Sequence, residues 1–271
     1  MKKRSIFLIF LIIAIIIFSI IFTFIHTYND YSKAHPLSLQ EKKIIAHAGG
    51  ALGDFKYLNN LESIENSYNN GIRLIELDIE FTTDNKPVML HSWDGFVTKF
   101  FSLEAWKTYY YDEFKNFKMV NNWHQLTLDD TIFYMKNMFK EMYLVTDTKN
   151  DNKLLLDILA TKYPYMKKRI IPQVYNQQEY KYAKDLGFNN IIYTLYASKD
   201  TPEQVIDFCK NNEIFAITMP KDLAYTDLPS KLSELGIYTY THTINDIEEF
   251  KSLSTKGING IYTDYLLSTT Y

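Results

Sequence analysis

From Lys42 onward, short apolar or alternating runs recur between longer stretches in which apolar residues return every third or fourth position. The first pattern is that of strands and the second that of amphipathic helices. Eight runs read as strands: KIIAHA, RLIELDIEF, MYLVTDT, RIIPQVY, NIIYTLY, IFAITMP, IYTYTHT and NGIYTD. Between most of them lie helical segments such as LESIENSYNNG, NKLLLDILATKYP, QQEYKYAKDLG, TPEQVIDFCKNN and DIEEFKSLSTKG. Eight strands alternating with helices over residues 42–271 predict an α/β domain, a (β/α)8 TIM barrel. A doubly wound open sheet is the competing architecture, but it normally has fewer strands, and no glycine fingerprint for a dinucleotide is present.

Two segments interrupt the alternation. FTTDNKPVMLHSW carries the second strand through an Asp-Asn turn into another extended piece, which predicts a hairpin arm. Residues 95–126 form an aromatic-rich insertion ahead of the helical TLDDTIFYMKNMFK. Phe100, Phe101, Trp106, Tyr109, Tyr110, Tyr111, Phe114 and Phe117 crowd its centre. They admit two readings, a small cap packed around its own aromatic core or a lid whose rings line the barrel mouth.

The N-terminus follows a third pattern. After MKKR, residues 5–25 carry no charge, a length that can span a bilayer and exceeds the apolar region of a cleavable signal peptide. The expected organisation is a cytoplasmic tail at 1–4, a transmembrane signal anchor at 5–25, a polar linker at 26–41 and the barrel at 42–271. Lys2, Lys3 and Arg4 place the tail inside, so the chain is expected in the cell membrane, single-pass, with an extracytoplasmic catalytic domain.

The net charge of −3, with no basic stripe in the body of the chain, excludes an ordinary nucleic-acid binder. Cys209 is the single cysteine, which excludes an internal disulfide and a cysteine metal cluster. It sits among Val205, Ile206 and Phe208 at helical spacing and reads as a core residue.

The second strand carries the most chemistry. Leu74, Glu76, Asp78 and Glu80 share one face, and Ile75, Leu77, Ile79 and Phe81 the other. In a barrel the apolar face packs on the helices and the acids point inward, where like charges cost several kcal/mol each unless compensated. In the third strand Tyr143, Val145, Asp147 and Lys149 share a face. Glu76, Asp78 and Asp147 at neighbouring strand ends would make an all-oxygen site suited to a hard divalent cation, Mg²⁺ or Ca²⁺. His47 ends the first strand and His91 ends the hairpin arm, so both can reach the same mouth. Two histidines beside a cation suit phosphodiester cleavage, one taking a proton from the nucleophile and the other protonating the leaving oxygen.

The run His47–Gly50, the stretch LESIENSYNNGIRLIELDIEFTTDNKPVMLH, the DTK at 147–149 and the THTIN…GINGIYTD ending together resemble the glycerophosphodiester phosphodiesterase family. That family belongs to the wider group that includes phosphatidylinositol-specific phospholipases C. The resemblance covers nearly all of residues 42–271. It implies a (β/α)8 barrel, a metal held by Glu76, Asp78 and Asp147, and an acid/base pair in His47 and His91. It also implies Lys149 near the substrate phosphate.

His242 ends the seventh strand, where the family often has a tryptophan, and is a further candidate for substrate contact. His26, His35 and His124 read as surface residues. The sequence departs from the family at several points. Ala48 stands where an arginine is usual, and YLNN at 57–60 falls on the Pro-Glu-Asn-Thr motif with Leu58 in place of its glutamate. Ser92 follows His91 where an aspartate is usual, and Asp147 is shorter than the common glutamate. The ENS at 65–67 lies too far along, inside a helix, to be that motif.

The function so implied is metal-dependent hydrolysis of a glycerophosphodiester, or of a related lipid or envelope headgroup diester. The alternatives are a phospholipase acting on intact phospholipid and a catalytically silent barrel that binds envelope phosphates. The expected partners are a small-molecule or lipid-derived phosphodiester and, through the N-terminal helix, the membrane.

Overall fold

In the computed structural model, which describes residues 10–22 and 36–265, all eight predicted strand runs are strands. They are β1 (Ile44–Ala46), β2 (Leu74–Phe81), β4 (Tyr143–Asp147), β5 (Ile170–Val174), β6 (Ile192–Thr194), β7 (Ala216–Pro220), β8 (Thr239–His242) and β9 (Gly260–Thr263). They pair in parallel in the order β1-β2-β4-β5-β6-β7-β8-β9, and β9 pairs back onto β1 to close the barrel. The Asp-Asn turn delivers the expected arm as β3 (Pro87–Met89), antiparallel to the end of β2 with Met89 opposite Ile79. Asn85 takes the left-handed φ of 55° that this turn requires.

The helices begin with residues 10–22, α1. Then come α2 (Leu61–Asn69), α3 (Gly95–Phe100), α4 (Tyr111–Asn116), α5 (Leu128–Asn137), α6 (Asn152–Lys162), α7 (Gln177–Asp185) and α8 (Pro202–Asn211). Between β7 and β8 run α9 (Lys221–Ala224) and α10 (Leu228–Glu234), followed by α11 (Ile247–Ser254). The connecting helices start where the sequence supplies caps. Asn60, Thr127, Asp151, Asn176, Thr201 and Asp246 each accept a backbone N–H from the first turn.

Strand alternation sorts the core into two layers. Ile75, Leu77 and Ile79 face outward and pack with helix residues such as Ile64, Ile132, Leu155 and Phe250. Ile45, Leu74, Val145, Ile171, Ile192, Ala216 and Tyr240 fill the barrel interior. Along β2 the inward column runs from Leu74 to Glu76 and Asp78, so the interior turns from apolar to acidic toward the carboxyl ends of the strands. Cys209 is buried in the outer layer as expected, and burial pushes its thiol up to about 12.

The insertion has a core of its own. Trp93, Val97, Phe100, Phe101, Tyr109, Phe114 and Met119 are buried together with Leu58, Val88 and Leu90, and Tyr111 and Phe117 pack against them. The Trp93 indole N–H donates to the Phe81 carbonyl at 2.9 Å, fastening this cluster to the end of β2. Of the two readings, the cap is the one observed: the rings face each other, and among the described Phe, Tyr and Trp side chains of the insertion only the rings of Trp106 (83 % exposed) and Tyr110 (55 %) project into solvent.

The expectation at the N-terminus is not supported. The apolar run is helical over residues 10–22, and among the described residues no helix is long and apolar enough to cross a membrane. About 20 residues are needed to span the hydrocarbon. The rest of the 5–25 run, and most of the linker with His26 and His35, lie outside the described residues.

Because Phe114 is wholly buried at the centre of the cap, Phe114→Ala should destabilise it by about 3–5 kcal/mol. Trp106→Ser should stay within about 0.5 kcal/mol of wild type. Denaturant unfolding of the two variants checks this; equal effects would mean that the rings are not packed as described.

Candidate active site

Three carboxylates meet at the carboxyl ends of β2 and β4. Asp78 and Asp147 are register partners on these adjacent strands, and Glu76 lies one inward position below Asp78. One oxygen from each of the three lies within 4.8 Å of the others, and all three side chains are buried. Burial, then the charges of Asp78 and Asp147, push the Glu76 carboxyl well above its ordinary range. Burial and Asp78 raise Asp147 as well, against the Tyr175 and Tyr196 hydroxyls that donate to it. Burial also opposes ionisation of Asp78, yet His91, His47 and Asn59 together hold its carboxyl below the usual range. Glu80, the next inward acid, bonds Asn150 and is pushed up to about 7, chiefly by burial.

This cluster fits a hard divalent cation. The donors are all carboxylate oxygens, and Glu76 Oε1 is buried with no hydrogen-bond partner among the described residues. Its other oxygen accepts the Ala48 N–H at 2.7 Å.

The two histidines flank the acids. His47 follows β1, and its Nδ1 lies 2.8 Å from Asp264 Oδ1, just past the end of β9. The other Asp264 oxygen takes the Asn245 amide at 2.7 Å and the Lys56 ammonium at 3.2 Å. Burial alone would raise Asp264, but His47, Asn245 and Lys56 hold its carboxyl below the ordinary range. An ionised Asp264 accepts a hydrogen bond from the Nδ1–H and leaves Nε2 to act as base, a tautomer assigned from the hydrogen bonding. His91 follows β3, with Nδ1 3.2 Å from Asp78 Oδ1 and Nε2 3.2 Å from the Lys149 ammonium.

The two glycines after His47 now have a reason. Gly49 and Gly50 have φ of 86° and 94°, and a side chain at either would collide with the Ser63 or Ser67 hydroxyl of α2. The close approach lets Ser67 Oγ donate to the Gly49 carbonyl at 2.7 Å, clamping the His47 loop onto the helix.

His242 lies on the wall of a cavity also lined by His47, Glu76, Asp147, Gln173, Thr194, Tyr196 and Tyr262. Its Nε2 is buried and has no partner among the described residues. Burial, then the charge of His47, lower its pKa to about 4, against a weaker opposing pull from Asp222. His124, by contrast, is exposed and pairs with Glu62.

The structure thus brings together His47, His91, Glu76, Asp78, Asp147 and Lys149, with His242 on the adjoining cavity wall. Sequence reasoning missed Asp264, Asn245, Lys56, Tyr57, Asn59, Tyr175 and Tyr196. Asp264 and Tyr196 carry a usable signal, since each continues the inward alternation of β9 or β6 past the strand end. Asn59 is the asparagine of the YLNN stretch and bonds both the carboxylate and the backbone N–H of Asp78 at 2.9 Å. No arginine among the described residues fills the place left by Ala48. Arg73 is paired with Glu141, and Arg169 donates to the Met135, Phe139 and Met142 carbonyls.

Residues 50–268 match the model of the glycerophosphoryl diester phosphodiesterase family. Among solved structures, a glycerophosphodiester phosphodiesterase from Parabacteroides distasonis is similar at 19% identity, covering 82% of this chain and 92% of its own, with a TM-score of 0.64. One from Thermotoga maritima matches at 17% identity, 85% and 96% coverage and a TM-score of 0.65. An Oleispira antarctica phosphodiesterase, solved with the product sn-glycerol-3-phosphate, matches at 17% identity, 82% and 93% coverage and a TM-score of 0.62. No curated protein matches the chain.

The His242 environment sets a pH dependence of stability. The fold favours the neutral imidazole, so the stability it contributes is full above about pH 6.5, the unfolded value. It is lost as the pH falls from there toward about 4, because the unfolded chain takes up the proton first. Thermal melts of wild type and His242→Gln between these limits should diverge in slope, with the wild type falling more steeply on acidification. Parallel curves would contradict the buried neutral imidazole.

Proposed function

The chain belongs to the glycerophosphoryl diester phosphodiesterase family, whose members are hydrolases, and from that membership we propose a metal-dependent enzyme that works by histidine acid/base catalysis. Its substrate in this reading is a glycerophosphodiester or a related lipid or envelope headgroup diester. The observation that carries the reading is the pair His47 and His91, each tied through Nδ1 to a carboxylate and set beside one acid cluster. The relative solved with sn-glycerol-3-phosphate supports a glycerol phosphate as the retained product.

A divalent cation held by Glu76, Asp78 and Asp147 would supply positive charge to the phosphoryl oxygens. The chain's own groups do the rest. His47 Nε2 takes the proton of a substrate hydroxyl, and Asp264 stabilises the imidazolium that forms. The freed oxygen attacks phosphorus and closes a cyclic phosphate, while His91 protonates the departing alcohol oxygen. Water then opens the ring with the two histidines in exchanged roles. Lys149, beside His91, is the cation placed to meet a phosphate oxygen. Glu76 and Asp147, both raised by burial and then by the neighbouring carboxylates, are the groups that a bound cation would keep ionised.

The N-terminal run retains its proposed role as an anchor for an extracytoplasmic barrel, on the strength of its uncharged length and the basic residues before it. Protease added to intact cells should then reach the barrel. Complete protection, with a surface control digested, would reverse the orientation.

The catalytic reading is tested by phosphorus NMR of the full chain with a panel of glycerophosphodiesters and intact phospholipids. Turnover should need a divalent metal, and His47→Ala and His91→Ala should each lose at least about a hundredfold in rate. Metal at about a hundred times its Kd should stabilise by about 2.7 kcal/mol. That corresponds to a rise in Tm of roughly 5–10 °C for a domain of this size. Binding without turnover would favour the silent barrel, and cleavage confined to intact phospholipid would favour the phospholipase.

A further inference from the structure

One short segment joins the aromatic cap to both histidines. Leu58 is buried in the cap core, and its neighbours Tyr57 and Asn59 both take left-handed φ, 61° and 49°. Side chains from three successive residues are thereby divided between two structures. Leu58 enters the cap, Asn59 bonds Asp78, and the Tyr57 ring lies against both imidazoles. Its centroid is 4.9 Å from that of His47, edge-on, and 4.8 Å from that of His91, tilted. The segment is pinned elsewhere as well. The Phe55 ring packs edge-on against Trp123 at 5.2 Å, the Asn59 N–H donates to the Ala48 carbonyl, and Asn60 caps α2.

The polar partners of the two histidines are separate groups. Among the described residues His47 has one side-chain hydrogen bond, to Asp264. His91 is held by Asp78 and Lys149, and in the proposed reaction both of these turn to other partners, the cation and the phosphate. Tyr57 is the one side chain in ring contact with both imidazoles among the described residues.

We propose that Tyr57 is a positioning residue for the acid/base pair, its ring wedged between His47 and His91 and kept there by the burial of Leu58 in the aromatic cap. The insertion then acts on the reaction from a distance, through packing. Leucine in place of the motif's glutamate is what makes the connection, because an apolar side chain at 58 can enter the cap core and a carboxylate cannot do so without a partner. Proton transfer depends steeply on such placement, and a misplacement of about 1 Å can cost about a hundredfold. The inference rests on the acid/base roles proposed for His47 and His91.

The test compares Tyr57→Phe, Tyr57→Ala and Leu58→Ala in the full chain, with glycerophosphoethanolamine as substrate and carbon-13-labelled histidine for NMR. Tyr57→Phe keeps the ring and should keep kcat within about twofold and both histidine resonances in place. Tyr57→Ala should lower kcat by about ten- to a hundredfold and leave KM nearly unchanged. Leu58→Ala leaves Tyr57 in the chain, yet it should move the resonances of both His47 and His91 and lower kcat in the same direction. The proposal is overturned if Tyr57→Ala keeps its kcat, if Phe is as harmful as Ala, or if Leu58→Ala leaves both resonances unmoved. Should the wild type cleave no diester while the resonances respond as stated, the catalytic reading falls and the wedge remains.

Discussion

Parallel pairing of β2 with β4 sets Asp78 beside Asp147, and the two-residue alternation of β2 sets Glu76 beneath them. Three carboxylates are thereby confined to a buried barrel mouth, where mutual repulsion and lost hydration both oppose ionisation. Much of the surrounding structure is compensation for that crowding. The Ala48 N–H takes one oxygen of Glu76, Asn59 and His91 attend Asp78, and two tyrosine hydroxyls donate to Asp147. What they leave over is a Glu76 oxygen without a hydrogen-bond partner among the described residues, and an all-oxygen cluster with one such atom is what a hard cation completes.

The histidines gain their chemical difference from these acids. His47 leans on Asp264, which stands apart from the cluster and is kept ionised by Asn245 and Lys56. His91 leans on Asp78, a member of the cluster, and shares its other nitrogen with Lys149. One imidazole therefore has a dedicated carboxylate behind it, as a base needs, while the other is coupled to whatever binds at the acids. Ala48 is wholly buried in a left-handed turn and touches the site through its backbone N–H, which donates to Glu76.

The aromatic insertion shows how a local break in the strand–helix alternation has a tertiary explanation. Eight aromatics in eighteen residues are as consistent with a lid as with a packed core, and composition does not choose between them. The choice is made by Leu58, Val88 and Leu90, residues outside the insertion that supply the floor on which its rings pack.

Alternation along β2 determined which side chains enter the barrel, and eight strand runs separated by helices determined the barrel itself, because these periods depend only on local backbone geometry. Glu76, Asp78 and Asp147 were legible as site candidates by the same alternation, and His47 and His91 because each closes a predicted strand. Asn245, Lys56 and Tyr57 were not, and Asp264 was legible only as an inward position past the end of β9. The significance of all four lies in contacts with His47 or, for Asn245 and Lys56, with its partner Asp264, made across the closure of the barrel or from a loop whose path no periodicity encodes. The pairing of His47 with Asp264 spans 217 positions of chain and exists only because β9 returns to β1. Likewise Tyr57 meets both histidines only because Leu58 is drawn into a core assembled by later residues. Periodicity fixes the direction in which a strand side chain points; closure and packing decide what it meets there.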